Sequence, residues 1–249
     1  MPTQSVQRAT DILKQFSASE PQLGVSELAR RLGLTKSTVH RLLNSLCRAG
    51  LAEQDPTNRL YMLSRESVQL GYTAIYSSTL LRTAFPYLHY LAREAEETAY
   101  LAEREGDQAL TVLLVLSPTL RDQLGWYKSM PLHSTSSGKV LLAYADDRQR
   151  EAVLRSPLAR RTENTITDPA ELRAELEKVR QQGFATCFQE EKPGINAAAV
   201  PLRNPDGSVV AALAVAGAAY SLTREKATGS LEQLKAISGE ITHKLGSAR

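Results

Sequence analysis

Apolar residues at Val6, Ala9, Ile12, Leu13 and Phe16 recur at helical spacing and predict a first amphipathic helix from Ser5 to Phe16. A short second helix follows, with Ser26 placed as its cap, Leu28, Ala29 and Leu32 on one side, and Gly33 to end it in the left-handed region. Thr35 can cap a third helix, in which Val39, Leu42, Leu43 and Leu46 fall at i, i+3, i+4 and i+7 and share one buried stripe. The opposite face carries Ser37, His40, Arg41, Asn44 and Arg48 on the same period. Gly50 closes that helix, and two apolar-rich segments between Leu51 and Leu63 flank the turn-forming cluster Asp55-Pro56-Thr57-Asn58, so a hairpin is expected with Arg59 near its tip.

The pattern stays helical from Ser64 to about Glu97. Pro86 interrupts it, which predicts a break or bend near Thr83 to Phe85. Runs at Thr98–Glu103 and Ala109–Ser117 flank Gly106-Asp107 and read as a hairpin. Asp168-Pro169-Ala170-Glu171 joins an N-cap to a first-turn proline and acid, predicting a helix to Gln182 that Gly183 stops. A second hairpin is expected from Ala197–Pro201, the turn Asn204–Gly207 and Val209–Ala216, before a closing helix marked by Leu231, Leu234, Ile237, Ile241 and Leu245. Hairpins mixed with helices, without strict alternation, argue an α+β domain on an antiparallel sheet. The expected division is residues 1–76 for a mainly helical module with a hairpin, 77–97 for a helical linker, and 98–249 for the α+β domain.

At 249 residues, 42% hydrophobic and 23% charged, the chain can bury a core at both ends. No run approaches the length of a membrane helix, and Met1 to Gln15 has no signal-peptide core, so a cytoplasmic location and no membrane partner are expected. Cys47 and Cys187 stand far apart and outside any zinc-ligand spacing, so neither a disulfide nor a metal or other cofactor is expected.

Charge is uneven. Residues 1–75 carry nine bases against six acids, and the rest of the chain balances. Between Glu27 and Glu53 stand five bases and His40 without one carboxylate, the asymmetry of a surface that faces phosphates. With the third helix as recognition helix and the hairpin as a wing, hydroxyl, imidazole, guanidinium and amide groups can reach phosphates or base edges. A helical module that binds protein instead of DNA is the competing reading, and the basic face argues against it.

Two enzyme readings compete with the DNA-binding one. A phosphate loop ending at Gly138-Lys139 would need a glycine at 133 and a hydroxyl at 140, where His133 and Val140 stand. A hydrolase could recruit Ser136 or Ser137 with Lys139 or His133, or Glu190 and Glu191 as paired acids. The plainer expectation is that Lys139 is solvated on a helix and the two glutamates lie in a solvated loop.

Three segments carry a family resemblance over nearly the whole chain: Leu28 through Leu43, Leu132-His133-Ser134-Thr135-Ser136-Ser137-Gly138-Lys139 through Ala143, and Gly183-Phe184-Ala185 through Glu190 with Pro193-Gly194 to Pro201. They resemble the helix-turn-helix and the two effector-domain signatures of the IclR family. The resemblance implies a winged helix-turn-helix followed by a GAF-like α+β domain, with no catalytic residues. It also implies a dimer or tetramer, and regulation, by default repression, of operons for small organic compounds. Carried onto this chain, it makes Thr35, Lys36, Ser37, Thr38, His40, Arg41, Asn44 and Arg59 the candidates for operator DNA. For a small organic effector the candidates are Trp126, Met130, Leu132, Ser136, Ser137, Cys187, Ile195, Ala197, Ala214 and Ala216. Members that bind small keto acids tend to place an acid, a thiol and hydroxyls where this chain has Cys187, Ala197, Ala214 and Ala216. With most of that polarity absent, the expected effector is larger and less polar, an aromatic or alkyl-chain compound with one polar end.

Overall fold

In a computed structural model, residues 3–17, 20–117 and 129–247 are described. The chain forms two compact units, residues 1–78 and 79–249.

The first unit opens with α1 (Gln4–Leu13), α2 (Val25–Leu32) and α3 (Lys36–Arg48). Strands β1 (Ala52–Gln54) and β2 (Tyr61–Leu63) pair antiparallel, and Leu23 adds a bridge to Tyr61. The predicted apolar stripes close on one core: Ile12, Phe16, Leu28, Val39, Leu42, Leu43 and Leu46 are all buried, with Tyr61 beneath the hairpin. α1 is shorter than expected, and Phe16 reaches the core from beyond its end. Ser26 is not the cap of α2. The Leu23–Tyr61 bridge holds the chain extended up to Gly24, so the helix starts from Gly24, whose carbonyl accepts from Leu28 N at 3.1 Å. α4 (Arg65–Ser77) completes the unit without burying a single residue, and Val68, Leu70, Tyr72 and Tyr76 are exposed along it.

The expected break near Thr83–Phe85 falls instead at Ser78, which is extended (φ −93°, ψ 116°) between α4 and α5 (Thr79–Ala95). Ser77 Oγ donates back to the Ala74 carbonyl at 3.1 Å, the kind of hydroxyl competition that ends helices. Pro86 is accommodated inside α5 because Ala84, Leu88 and Leu91 around it are fully buried, and that packing offsets the roughly 3 kcal/mol an interior proline costs.

The second unit is built on β3 (Thr98–Glu105), β4 (Gln108–Val115), β5 (Ser129–Pro131), β6 (Ala185–Phe188), β7 (Ile195–Arg203) and β8 (Val209–Ala218). They make one six-stranded sheet in the order β5-β4-β3-β8-β7-β6, with every neighbouring pair antiparallel. One face packs against α5 and α10 (Leu231–Ser247). The other lies under α6 (Ser136–Ala143) and α8 (Pro169–Gln182), with α7 (Asp147–Arg155) beside them. On that second face the strands present Ala185, Ala197, Ala199, Ala212, Ala214 and Ala216, all buried, so the floor beneath α6 is almost wholly alanine. α9 (Arg224–Gly229) leads into α10. Asp168 caps α8 through Ala170 and Glu171 N–H, and Gly183 ends it at φ 74°, both as the sequence predicts. The architecture is therefore a helix-turn-helix unit followed by an α+β unit on an antiparallel sheet.

Candidate functional site

In the first unit the turn between α2 and α3 depends on Gly33, at φ 62°, with Leu34 N bonded to the Ala29 carbonyl at 3.0 Å. α3 then starts at Thr35, whose Oγ1 accepts from Thr38 N at 3.3 Å as predicted, and lies 2.9 Å from Thr38 Oγ1 and 3.1 Å from Ser37 Oγ. This hydroxyl cluster sits at a helix N-terminus, where partial positive charge and free N–H groups favour an anion. Lys36, Ser37, His40, Arg41, Asn44 and Arg48 are exposed and Thr38 is half-buried. Asn44 Nδ2 lies 3.4 Å from His40 Nδ1, so the two side chains brace each other one turn apart.

The five bases of this region divide. Arg31 pairs with Glu20 and Glu27 and Arg30 with Glu27, while Lys36, Arg41 and Arg48 make no ion pair among the described residues. The two guanidiniums that bond Glu27 pull its carboxyl down to about 2. At the hairpin tip, Arg59 takes φ 62° with its N–H on the Asp55 carbonyl at 2.9 Å and its own carbonyl accepting from Gln54 Nε2 at 2.8 Å. The backbone is fixed and the side chain is exposed. Asp55 is engaged locally: its carboxylate accepts from Thr57 N at 2.8 Å, and backbone donors lead the effects that lower its pKa. The eight residues expected to face DNA therefore fall on the α3 N-terminus, its outer face and the wing of one compact unit.

In the second unit a small enclosed cavity of ≈ 20 Å³ lies at the start of α6. Of the ten effector candidates, Met130, Ser136, Cys187, Ile195 and Ala197 line it. Leu132, Ala214 and Ala216 are buried in the core beside it, and Ser137 accepts a hydrogen bond from Tyr100 Oη at 3.4 Å. Trp126 lies outside the described residues. Tyr100, Thr135, Glu191 and Lys192 also line the cavity and were not foreseen. Thr135 could have been found, because it caps α6 by accepting from Gly138 N at 3.0 Å. Tyr100 could not: it comes to the cavity through its register with Ala214 on β8, a pairing that no local pattern announces.

The start of α6 sits tightly on the preceding turn. A Cβ on Gly138 would stand 2.7 Å from Leu132 Cα, so only glycine permits the approach. Ser136 is completely buried, and among the described residues its hydroxyl has no partner of full hydrogen-bond geometry, interacting only loosely with the Tyr100 hydroxyl. Cys187 donates its S–H to the Ser134 carbonyl at 3.2 Å, and burial with Glu190 nearby pushes the thiol up to about 11. It is a neutral packing group at physiological pH.

Lys139 and Glu190 overturn the plainer sequence expectation. Lys139 is not solvated: it is 1% exposed and its Nζ donates to Glu190 Oε1 at 2.8 Å, Glu190 Oε2 at 3.0 Å and Glu175 Oε1 at 3.3 Å. Burial works against its charge, but the carboxylates outweigh it and the net direction of its pKa is up. Glu190 is buried too, and Glu191 is tied to Ser134 and, at 3.1 Å, to Arg161. The segment 189–191 is therefore anchored rather than a free loop. Thr165 Oγ1 and Thr162 Oγ1 add bonds to the carbonyls of Glu190 and Gln189, each at 2.7 Å.

These contacts also remove the hydrolase arrangement. Lys139 is fully occupied, His133 Nε2 lies 3.0 Å from the Ala159 carbonyl, and the Ser136 hydroxyl touches no base. Lys192 is half-buried at the cavity and makes no ion pair among the described residues.

Comparison with known proteins points one way. Residues 72–243 match the bacterial transcriptional regulator IclR C-terminal family, and residues 5–56 match the IclR helix-turn-helix domain. The glycerol operon regulatory protein of Streptomyces griseus is 31% identical over 99% of this chain and 98% of its own length. The Pca regulon regulatory protein of Pseudomonas putida is 31% identical over 97% of this chain and 84% of its own. Among solved structures, the regulator from Alicyclobacillus acidocaldarius superposes with a TM-score of 0.81 at 27% identity, covering 98% of this chain and all of that one. A homologue from Microbacterium hydrocarbonoxydans, solved in complex with 4-hydroxybenzoate, gives 0.79 at 26% identity over 98% and 99%.

Proposed function

Taking as premise that the chain belongs to the IclR family of DNA-binding transcriptional regulators and is not an enzyme, we propose that it is a cytoplasmic repressor. A small organic effector held at the start of α6 releases it from its operator. The α3 face reads the major groove through Arg41, Asn44 and His40, the hydroxyls at its N-terminus hold phosphate, and Arg59 on the wing meets the adjacent backbone or minor groove. The chain self-associates, as operators with two half-sites require. The exposed apolar residues of α4, with Val68 69% and Leu70 61% accessible, support an interface between copies there.

The effector we propose has an aromatic or alkyl body and one polar end. The observation that carries this is the Ser136 hydroxyl, buried with no hydrogen-bond partner of full geometry among the described residues in a cavity whose walls include Met130, Ile195, Ala197 and Tyr100, with Thr135, Glu191 and Lys192 at its edge. An under-satisfied hydroxyl on a largely apolar wall suits a ligand of that description, and 4-hydroxybenzoate in the Microbacterium hydrocarbonoxydans homologue shares the aromatic body while carrying a polar group at each end. At ≈ 20 Å³ the cavity holds about one water, so a ring-sized ligand enters only as its walls part.

Calorimetry on the full chain compares glyoxylate and pyruvate with aromatic acids and acyl compounds, then repeats the series on Ala197→Leu. Micromolar binding of a short keto acid, or aromatic affinity indifferent to the added leucine, overturns the effector class. A gel shift of the upstream intergenic DNA, with and without the bound compound, tests the direction of regulation.

A further inference from the structure

A second buried polar site lies on the opposite face of the sheet from the cavity. Asn196 stands on β7 between Ile195 and Ala197, which both line the cavity, and strand alternation turns its side chain to the other face. In the register of β7 with β8 it stands opposite Gly217. Glu97, at the start of β3, lays its carboxylate over that same glycine. A Cβ at position 217 would be 2.1 Å from Glu97 Oε2 and 2.5 Å from its Cδ. Only glycine leaves room for the acid.

Glu97 is 1% exposed and Asn196 3%. Half of each side chain is satisfied: Ser221 Oγ donates to Glu97 Oε1, and Asn196 Nδ2 donates to the Leu222 carbonyl at 2.8 Å. The other half is not. Glu97 Oε2 and Asn196 Oδ1 are both buried with no hydrogen-bond partner among the described residues. An ionised Glu97 would thus keep a full charge out of water on one hydrogen bond, with no cation in ion-pair contact among the described residues. The charged groups that act on it are Lys226 of α9, which favours ionisation, and the adjacent Glu96, which opposes it.

One proton resolves both defects. It turns Oε2 from an acceptor into a donor, and Asn196 Oδ1 is the buried acceptor left open. We propose that Glu97 is a resident proton-binding site: the folded protein holds it as a neutral carboxylic acid that donates its O–H to Asn196 Oδ1 beside Gly217.

The site has a pH signature. Burial raises Glu97 above the usual glutamate value of 4.5, against the lowering effects of Ser221 and Lys226. Between the unfolded and folded pKa values the native state binds the extra proton, so stability falls as pH rises. The contribution is complete below the unfolded value and lost through the folded one.

Infrared spectroscopy of the full wild-type chain near pH 7, where exposed carboxyls have ionised, tests the proposal. A carboxylic-acid C=O band is expected that disappears in Glu97→Gln and shifts in frequency in Asn196→Ala. The difference spectrum separates Glu97 from Glu190 and Glu103, whose pKa values burial also raises. In parallel, the wild-type melting midpoint falls by a few degrees as pH rises above the unfolded glutamate value, and Glu97→Gln, whose amide can accept from Ser221 and donate to Asn196, loses that component. Should Glu97→Gln fail to fold, the wild-type band and its shift in Asn196→Ala decide alone. An acid region unchanged by either substitution overturns the proposal. So does a wild-type midpoint raised by added sodium, potassium or calcium ions but indifferent to pH, which would put a metal cation where the proton is proposed.

Discussion

On α3, Lys36, Arg41 and Arg48 stand exposed with no carboxylate in ion-pair reach among the described residues, while on α6 Lys139 is 1% exposed and held by two glutamates. Both helices begin at a threonine cap and both carry a lysine early in a motif that matches the family. Yet the positive charge of α3 is left for something outside the molecule, and that of α6 is consumed within it. Arg30 and Arg31 on α2 are an intermediate case, exposed in part but already paired with Glu27 and Glu20. Sequence position does not distinguish these cases. The presence or absence of an internal partner does, and it separates a cation left exposed from one consumed by the fold.

The comparison breaks most visibly at Lys139. Lys139→Met leaves Glu190 buried with its main partner gone, which costs about 3–5 kcal/mol and lowers the melting midpoint by on the order of 10 °C in a calorimetric scan. A loss below about 1 kcal/mol would mean that Glu190 takes up a proton at little cost and that the pair is not structural.

Next comes the cavity wall against the core behind it. Ala214→Leu inserts three carbons where Ala214 meets Tyr100 and Ala199, at a cost of about 1–3 kcal/mol read by chemical denaturation. Ala197→Leu, at the cavity, should cost less and abolish effector binding. Equal destabilisation by both would show that the cavity is ordinary core.

On the recognising side, Arg41→Ala is expected to weaken operator binding roughly tenfold or more and to relax sequence preference, with the melting midpoint unchanged. Unchanged affinity in a fluorescence titration removes Arg41 from the contact set. The smallest effect is at the wing. Arg59→Gly removes both a charge and a left-handed non-glycine residue, so stability stays within about 1 kcal/mol of wild type while the slope of log affinity against log salt falls by about one.

What could be read from the sequence was what is decided locally. Thr35 caps α3, Gly33 and Gly183 end their helices, and Asp168 starts α8, because each choice depends on residues within a single turn. The break at Ser78 rather than near Pro86 is not legible locally, because the proline's penalty is outweighed by Leu88 and Leu91 packing within the second unit, and packing is not local. The cavity was half legible. Met130, Ser136, Cys187, Ile195 and Ala197 lie within the motifs or next to them, but Tyr100 and the Lys139–Glu190 bond join positions brought together only by sheet order and by a 51-residue separation. The dependence of Glu97 on Gly217 was hidden for the same reason, since 120 residues separate two positions that share one space.

The alanine floor beneath α6 has a mechanical meaning. Ala185, Ala197, Ala199, Ala212, Ala214 and Ala216 have no rotamers to exchange, so this face can neither absorb a disturbance by side-chain rotation nor lose side-chain entropy when pressed. In a close-packed interior, a strain that cannot be dissipated is passed on. A molecule wedged at the start of α6 therefore pushes against something closer to an anvil than a cushion, and the side left to yield is the helix itself. Small side chains, which look like an absence of specification, here decide which side of the cavity is the rigid one.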